Sequence, residues 1–450
     1  ASLPYYRNPI KQNRFNVKTT QVLQLDKPTL GNILRAESLR KKQAFHFESA
    51  KKMLYDIYSI IFRTIPLSFF NLLRLFLFVV CLSPGFLRFA WYYFITSDRV
   101  AVRYGDESVR QKIDVYRPSR KLDSQREVLL HGENPSSTEE CRFNAPVIVF
   151  FTGGAWMIGY KMWGTLLARA LTATGIVVVI PDLRNYPLVC IPSMVDDVDL
   201  ALDWTRKNIA QYGGDPTNIV VVGQSAGGHV ACMAIFRKIR RKIAREDGIV
   251  SLEGFTGTNR DGNGKNIHAN GNSNCEWMAS DLKGFAAVSS PLNLGSIINE
   301  SFRRLGFDNG MVDRMFGFEK KTYDPFLALE EFQSAELKHK FVKEFPPICI
   351  YQGTSDKTVP YECSESFYRE LLRTTSDKQS VSFVSYDGWS HTDPILEGPM
   401  DADHRLHKDL FNNVNEWITS PNLTWPNDAR INDRLCPHFM IEISRMINPF

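Results

Sequence analysis

Short runs of continuous apolar residues recur along the chain, and helical patterns separate them. Such runs are typical of β-strands buried on both faces, as in a parallel sheet covered by helices. In Met194–Ile209, for example, the apolar residues follow helical spacing. The alternation predicts an α/β protein with a doubly wound, mostly parallel sheet. The predicted strands are Val147–Phe151, Ile176–Asp182, Ile219–Gly223, Phe285–Ser289, Ile348–Gly353 and Ser380–Tyr386.

This pattern lies within a main domain that we place at residues 99–420. Near its start, residues 100–117 alternate apolar and polar side chains around a turn, which predicts an antiparallel hairpin. Residues 253–275 are rich in Gly and Asn and are interpreted as a flexible insertion. Residues 291–345 hold helical patterns without a strand, and we expect a helical lid there. Residues 421–450 form a predicted C-terminal tail.

The N-terminal part of the chain is basic and then apolar. Residues 1–65 carry twelve Lys and Arg against four Asp and Glu, which predicts a basic arm, either solvated or attracted to an anionic membrane. Residues 66–98 form a predicted membrane-anchor segment. Its apolar run, Leu67–Leu82, has sixteen residues bracketed by Pro66 and Pro84, whereas a spanning helix needs about 20. A re-entrant anchor therefore fits as well as a span, and a helix buried on the main domain is the alternative.

The composition argues against several other classes of protein. A net charge of +5 is mild, and because the excess lies in the basic arm, the main domain carries no general signal for nucleic acid binding. The eight cysteines are scattered and form no C-x-x-C pair, so neither a zinc site nor a thioredoxin-type redox site is indicated. We expect free thiols, no metal and no cofactor.

The strand Ile219–Gly223 runs directly into Gly-Gln-Ser-Ala-Gly, which a helical pattern follows. A G-x-S-x-G sequence in this context is typical of the nucleophile elbow of the α/β-hydrolase fold, in which a tight turn lifts the serine hydroxyl clear of the sheet. Ser225 is therefore the predicted nucleophile.

A serine hydroxyl needs a base, and in this fold the acid and the histidine follow the serine in that order. Asp356 comes just after the strand Ile348–Gly353, and His391 follows the strand Ser380–Tyr386. Both lie at carboxyl ends of strands, where ligands bind in open α/β sheets. We predict that His391 is the general base and then acid, and that Asp356 orients it.

Other acids and histidines near these positions receive structural interpretations. Asp387 and Asp393 are rival acids that flank His391. His229 lies in the helix after the nucleophile and is predicted to be a packed histidine. Three further histidines follow the acid and are expected at the surface: His404, His407 and His438.

Two backbone N–H groups are needed to stabilise the oxyanion of an acyl-transfer intermediate. We predict that one belongs to Ala226 and the other to Gly153 or Gly154, in the loop after Val147–Phe151. Glycines suit such a loop because they allow close backbone approach. The alternative for this loop is a plain turn without a catalytic part.

Aromatic residues next to this loop are hypothesised to line a substrate pocket, although core packing is the commoner role of such residues. They are Trp156, Tyr160 and Trp163. Two charged residues elsewhere are assigned structural roles, Arg184 in a buried ion pair and Asp215 in a turn.

At these residues the chain resembles the prenylcysteine (isoprenylcysteine) methylesterase family. TGGAW is the most discriminating match, since lipase-type relatives usually have His in place of Thr152. The matching stretches are SPGFLRFAWYYF (83–94), YGDESVRQKIDVY (104–116), TGGAWMIGYKMWG (152–164), DLRNYP (182–187), YGGDP (212–216), GQSAGGH (223–229), the HTD within 388–393 and the closing MINPF.

The resemblance implies a membrane-bound enzyme of the endoplasmic reticulum or Golgi that hydrolyses the carboxyl methyl ester of prenylated cysteine. Its triad would be Ser225, Asp356 and His391, and its partners would be a prenylcysteine methyl ester or prenylated protein C-terminus and membrane lipid. One alternative is a kynurenine-formamidase-like enzyme or general carboxylesterase. The other, of a different class, is a catalytically inactive hydrolase fold that serves as a membrane-tethered binding module.

Overall fold

The computed structural model describes residues 69–118, 144–248, 276–295, 300–301, 303, 309–375, 380–419, 423–426 and 432–450. The described residues form a central sheet of eight strands, which are β1 (Arg99–Arg103), β2 (Lys112–Tyr116), β3 (Ala145–Phe151), β4 (Val177–Asp182), β5 (Gly214–Gln224), β6 (Leu282–Val288), β7 (Ile348–Gly353) and β8 (Val381–Tyr386). Their spatial order is β1-β2-β4-β3-β5-β6-β7-β8.

One edge of this sheet is antiparallel and the rest is parallel. β1 pairs with β2 and β2 with β4 in antiparallel register, whereas the neighbours from β4 through β3 and β5 to β8 pair in parallel. The inner strands are rich in Val and Ile, and β3, β4 and β7 are buried over their whole length. Strand β1 at the edge has two exposed residues among its five. Such exposure is common in antiparallel strands, because one face of an antiparallel sheet can contact water.

Eleven α-helices lie in the described residues. They are α1 (Phe69–Trp91), α2 (Thr165–Thr172), α3 (Ile191–Asn208), α4 (Ala226–Glu246), α5 (Asn309–Met315), α6 (Pro325–Glu330), α7 (Ala335–Glu344), α8 (Tyr361–Thr375), α9 (Glu397–Met400), α10 (Arg405–Trp417) and α11 (His438–Ile447).

Helices cover both faces of the sheet because alternate strand residues point to opposite sides. Val147 and Val149 of β3 belong to a core that includes α3 and α4. Ile148 and Phe150 belong to the opposite core, which includes α2 and α10. This arrangement confirms the predicted doubly wound, mostly parallel sheet.

The predicted strands and the hairpin are confirmed, with shifts of a few residues at their ends. The largest difference is in β5, which begins at Gly214 instead of Ile219. Its first residues form the turn predicted at Asp215, whose carboxylate accepts a hydrogen bond from the N–H of Thr217 at 2.8 Å. The predicted ion pair of Arg184 is also confirmed, with Asp197 at 2.8 Å.

The apolar helix α1 extends beyond the boundary predicted at Pro84. It continues through this proline to Trp91, and a π-helical turn, Tyr92–Thr96, follows. Proline removes one backbone hydrogen bond. The helix nevertheless continues, because the side chains of Leu82 and Phe89 on either side of Pro84 are buried in one hydrophobic cluster. The segment Leu73–Thr96 has 24 residues and a mean hydropathy of 1.7, so it is long and apolar enough to cross a membrane.

The predicted C-terminal tail contains an ordered helix that packs on α1. Ile441 of α11 and the preceding Cys436 are buried in one cluster with Phe78 and Leu82 of α1. The thiol of Cys436 donates to the backbone carbonyl of Cys81 at 3.2 Å. The sequence did not predict this packing, because α11 has only ten residues and its partner lies more than 340 residues earlier.

Residues 291–345 contain α5, α6 and α7, and the described part of this segment has no strand. The helical content agrees with the sequence prediction, and the role of this segment as a lid stays a prediction. Residues 1–65 and the insertion 253–275 lie outside the described residues. The six described cysteines are free thiols, as predicted, and Cys232 and Cys349 are among the buried ones.

The expectation of surface histidines was wrong for His404 and His407. Both are buried, and their Nδ1 atoms lie 2.9 Å apart. His407 sits on the inner side of α10, whose apolar face packs on the sheet, so its position on that helix decides its burial. His438 is exposed, as predicted, and its Nδ1 lies 2.9 Å from the Asp401 carboxylate.

Burial of His407 predicts a loss of stability in acid. Burial, with nearby His404 adding to it, lowers the pKa of His407 from 6.5 to about 3. His407 therefore binds a proton below about pH 6.5 in the unfolded chain, but only below about pH 3 in the folded protein. From pH 7 to pH 4, this one group reduces the free energy of unfolding by about 3 kcal/mol.

We expect His407→Leu to flatten the dependence of the guanidinium midpoint on pH between 7 and 4. Tryptophan fluorescence at a series of pH values measures the midpoints. Parallel curves for wild type and His407→Leu would contradict the assignment.

Candidate active site

Ser225 occupies a strained turn between β5 and α4. Its φ of 51° and ψ of −126° are unusual for a residue with a side chain. The Ser225 N–H donates to the carbonyl of Val288 in the neighbouring strand at 2.9 Å. Strain of this kind persists only where the surrounding structure determines the backbone, and it clusters at functional sites.

The two glycines of the G-x-S-x-G motif allow this turn to form. A Cβ on Gly227 would lie 2.2 Å from the carbonyl oxygen of Phe151, and one on Gly223 would lie 2.3 Å from Cα of Gly228. Both contacts are with backbone, which cannot move aside cheaply. The sequence motif is therefore required by the close approach of β3, β5 and α4.

The structure brings the three predicted triad residues together. His391 Nε2 lies 3.0 Å from Ser225 Oγ, and His391 Nδ1 lies 2.8 Å from Asp356 Oδ2. Since a carboxylate accepts, Nδ1 carries the proton and Nε2 is left to accept from the serine hydroxyl. All three residues are buried.

Four N–H donors fix the Asp356 carboxylate. Oδ1 accepts from the backbone N–H groups of Thr358 at 2.9 Å and Val359 at 2.8 Å. Oδ2 accepts from His391 and from the Gln352 side-chain amide at 3.1 Å. Gln352 was not singled out in the sequence, because it lies within an apolar strand and no motif marks it.

The two rival acids form hydrogen bonds or ion pairs with residues other than His391. Asp387 accepts from the hydroxyl of exposed Thr354 at 3.1 Å. Asp393 accepts from the backbone N–H of Ser390 at 2.8 Å and pairs with Arg445 at 2.9 Å. Asp356 is the carboxylate that holds the His391 ring.

The glycine loop after β3 lies against the elbow. A Cβ on Gly153 would lie 2.0 Å from Gln224 Oε1 and 2.8 Å from Cβ of Ser225. Three consecutive residues then have positive φ: Gly154 at 131°, Ala155 at 50° and Trp156 at 59°. The loop is a strained, close-packed segment beside Ser225.

Trp156 ties this loop to α4 and to the segment 291–345. Its indole N–H donates to His229 Nδ1 at 3.2 Å, and His229 Nε2 lies 2.7 Å from the carbonyl oxygen of Tyr323. The carbonyl can only accept, so His229 donates from Nε2 and accepts at Nδ1. Burial lowers the pKa of His229 to about 4, which keeps the ring neutral. His229 is a packed histidine, as predicted, but its anchoring of the loop was not foreseen.

A small recess opens between the glycine loop and the start of α4, and its lining includes Ala226, the residue after Ser225. Its lining includes Trp156, whereas Tyr160 and Trp163 are absent from it. The lining residues are Thr152, Gly153, Trp156, Gly159, Leu183, Asn185, Met194, Ala226, Gly227 and Val230. Tyr160 and Trp163 are 38% and 37% exposed, so they lie on the outer surface near the loop.

One group of potential metal ligands lies in the described residues, and it is separate from the triad. The ligand atoms of Asp401, His438 and Glu442 lie within 4.8 Å of one another. Arg434 and Arg445 already pair with Asp401, at 3.1 and 3.5 Å. These cations compete with any metal ion for the carboxylate.

Comparisons of the sequence with known proteins identify its family. A family model described as BD-FAE, an α/β-hydrolase family, matches residues 136–265. A probable isoprenylcysteine alpha-carbonyl methylesterase of Arabidopsis thaliana is 30% identical over 84% of this chain and 78% of its own length. Another protein of that description from the same plant is 28% identical over 82% of this chain, which spans 66% of that relative.

Among solved structures, the native form of a thermophilic esterase from Thermogutta terrifontis is 18% identical, with a TM-score of 0.46. The match covers 70% of this chain and 90% of that one. The relatives in sequence described above are named as methylesterases, and this chain is a carboxylic ester hydrolase. Because it is 30% identical to the Arabidopsis methylesterase over most of both chains, the chain belongs to the isoprenylcysteine alpha-carbonyl methylesterase family of α/β-hydrolases.

Proposed function

We propose that the protein is a serine carboxylesterase that hydrolyses the carboxyl methyl ester of prenylated cysteine through an acyl-enzyme. The observation that carries the serine mechanism is the continuous hydrogen-bond chain from Ser225 Oγ through His391 to Asp356, at 3.0 and 2.8 Å. Such a chain lets the imidazole take the hydroxyl proton while the carboxylate stabilises the resulting imidazolium.

Hydrolysis takes two half-reactions. Ser225 Oγ attacks the ester carbonyl carbon as its proton passes to His391 Nε2, and a tetrahedral oxyanion forms. That intermediate collapses when His391 returns the proton to the methoxy oxygen, so methanol leaves and the acyl group stays on Ser225. His391 then takes a proton from a water that attacks the acyl carbonyl, and the second collapse releases the carboxylic acid and restores the serine hydroxyl.

The developing oxyanion requires backbone donors beside Ser225. Ala226 begins α4, so its N–H is one of the groups that a helix start leaves without an intrahelical partner. Gly153 and Gly154 supply the loop on the opposite side, and the contact of Gly153 with the elbow fixes their distance from the nucleophile. We assign the N–H of Ala226 and one from Gly153 or Gly154 to the oxyanion.

A prenyl chain fits the apolar character of the recess and its margin. Trp156, Met194 and Val230 contribute apolar surface to the lining. Two exposed apolar side chains lie next to this lining. Ile158 precedes the lining residue Gly159 and is 71% exposed. Leu188 is 65% exposed, and its N–H donates to the carbonyl of the lining residue Asn185. The relatives named as isoprenylcysteine methylesterases support the same substrate class.

We further propose that α1 anchors the enzyme on a membrane, with the endoplasmic reticulum or Golgi as its site. Large apolar side chains are exposed along the helix and the turn after it, including Phe76, Leu87, Trp91 and Phe94 at 63–73%. A prenylated substrate partitions into lipid, so an anchored enzyme meets it where its concentration is highest.

The nucleophile is tested by labelling with a fluorophosphonate. We expect wild type to be labelled and Ser225→Ala not to be, because the probe requires an activated serine hydroxyl. Ser290→Ala is the matched control, since this buried serine lies behind the elbow and donates to the Gly223 carbonyl at 3.3 Å. If wild type and Ser225→Ala are labelled equally, the proposed mechanism is excluded. If neither protein is labelled, the mechanism is also excluded and a binding module is favoured.

The substrate class is tested by methanol release in detergent or lipid vesicles. We expect a farnesylcysteine methyl ester to give a kcat/KM at least tenfold above that of N-acetylcysteine methyl ester, because the prenyl chain adds apolar binding. Ser225→Ala sets the background. Turnover of the short ester alone would retain the esterase and remove the prenylcysteine claim.

The oxyanion loop is tested with Gly153→Ala. The added methyl group collides with Gln224 and with Cβ of Ser225, so the loop must move away from the nucleophile. We expect kcat to fall by about 10²-fold, the loss typical of one oxyanion donor. Gly295→Ala is the control, because its new Cβ meets only the side-chain oxygen of Asn293, at 3.2 Å. A kcat within twofold of wild type would remove Gly153 from the site.

A further inference from the structure

The C-terminal residues of the chain contact the loop that carries His391. The Asn448 side chain is buried, and its Nδ2 lies 2.9 Å from Ser390 Oγ and 2.8 Å from Thr392 Oγ1. These two residues are the immediate neighbours of His391 in the chain. The same nitrogen lies 2.7 Å from Glu397 Oε1.

The directions of these hydrogen bonds are set by the partners. The Ser390 hydroxyl donates to Asp393 and the Thr392 hydroxyl donates to Glu397, both at 2.8 Å. Each hydroxyl oxygen is therefore available to accept from the amide of Asn448. The Asn448 carbonyl oxygen accepts from the Phe450 N–H at 2.7 Å, which fixes the orientation of the amide.

Arg445, one helical turn earlier in α11, holds the other side of the loop. Its Nε donates to Asp393 Oδ1 at 2.9 Å, while Asp393 Oδ2 accepts from the Ser390 N–H at 2.8 Å. The backbone before His391 and the side chains on both sides of it are thus connected to one short helix. Asp356 fixes the ring through Nδ1, but no hydrogen bond of Asp356 reaches the backbone of residues 390–392 among the contacts described.

The helix that presents these groups is itself held by α1. Arg74 donates to the carbonyl of Ile447 at 3.3 Å and to that of Asn448 at 3.0 Å. A cation at these carbonyls satisfies acceptors that the end of a helix leaves free. Phe450 packs edge-on against Phe78, with ring centroids 6.2 Å apart.

We infer that Asn448 and Arg445 are positioning residues for His391, and that the C-terminal segment is a working part of the active site. They hold the loop of residues 390–393 so that Nε2 stays within hydrogen-bond distance of Ser225 Oγ. The inference rests on the proposed serine mechanism. A displacement of about 1 Å at a catalytic group can cost up to 10²-fold in rate, so a modest shift of this loop has a measurable effect.

Asn448→Ala and the nearly isosteric Asn448→Asp test the inference, with Ser444→Ala as matched control. Ser444 is buried on the same helix, but its hydroxyl donates only within that helix, to the Ile441 carbonyl. A fluorophosphonate titrates the active sites, and kcat and KM for a soluble aryl ester are then measured per titrated site. This separates slower chemistry from a smaller fraction of folded enzyme.

We expect both Asn448 variants to lower kcat per titrated site about tenfold, with KM within twofold of wild type, and Ser444→Ala to match wild type. If Asn448→Ala does not fold, Arg445→Gln serves the same test with the same expected loss. An unchanged kcat per site, even with a lower melting temperature, overturns the inference and leaves the serine mechanism standing. A wild-type protein that is not labelled at all overturns both.

Discussion

The candidate active site depends on the close approach of three backbone segments around Ser225. At Gly153, Gly223 and Gly227, a side chain would meet neighbouring atoms at 2.0, 2.3 and 2.2 Å. Only glycine lets β3, the elbow and the start of α4 come this close, and the contact forces Ser225 into a φ of 51°. These close backbone contacts consequently fix the position of the hydroxyl. The histidine, the acid and the glycine loop are then positioned relative to that fixed oxygen by elements that come from distant parts of the chain.

Two buried histidines show how hydrogen-bond partners assign different roles to the same side chain. His391 faces a carboxylate at Nδ1, so Nδ1 carries the proton and Nε2 accepts from the Ser225 hydroxyl. His229 faces a backbone carbonyl at one nitrogen and an indole N–H at the other, and among the described contacts no carboxylate faces it. Burial lowers the pKa of His229 to about 4, so it stays neutral and serves as a rigid link between the glycine loop, α4 and the residues around Tyr323.

The parts of this structure that local sequence patterns encode were predictable, and the parts that depend on distant packing were not. The strands, the elbow and the triad follow from apolar runs and from residues placed directly after them. Gln352, the anchoring role of His229 and the burial of His404 and His407 depend on which element packs against which, and no local pattern reports that. Pro84 was misleading for a related reason, because proline disfavours a helix interior but the burial of Leu82 and Phe89 on either side of it offsets that cost here. The C-terminal segment was read as a tail because α11 has ten residues and its partners lie in α1 and in the loop of His391.

The two faces of α11 connect the apolar surface of the protein to its catalytic centre. Phe439, Ile443 and Met446 follow one another at helical spacing, and they are 65%, 39% and 74% exposed. They continue the exposed apolar surface that α1 presents, since the two helices pack on each other. Arg445 and Asn448 leave the same helix on the side of His391. The helix whose exposed side carries these apolar residues is therefore the same helix whose other side holds the loop of His391. Arg74 joins α1 to the last carbonyls of α11, so hydrogen bonds and packing within this pair of helices connect the exposed apolar surface to the loop of His391.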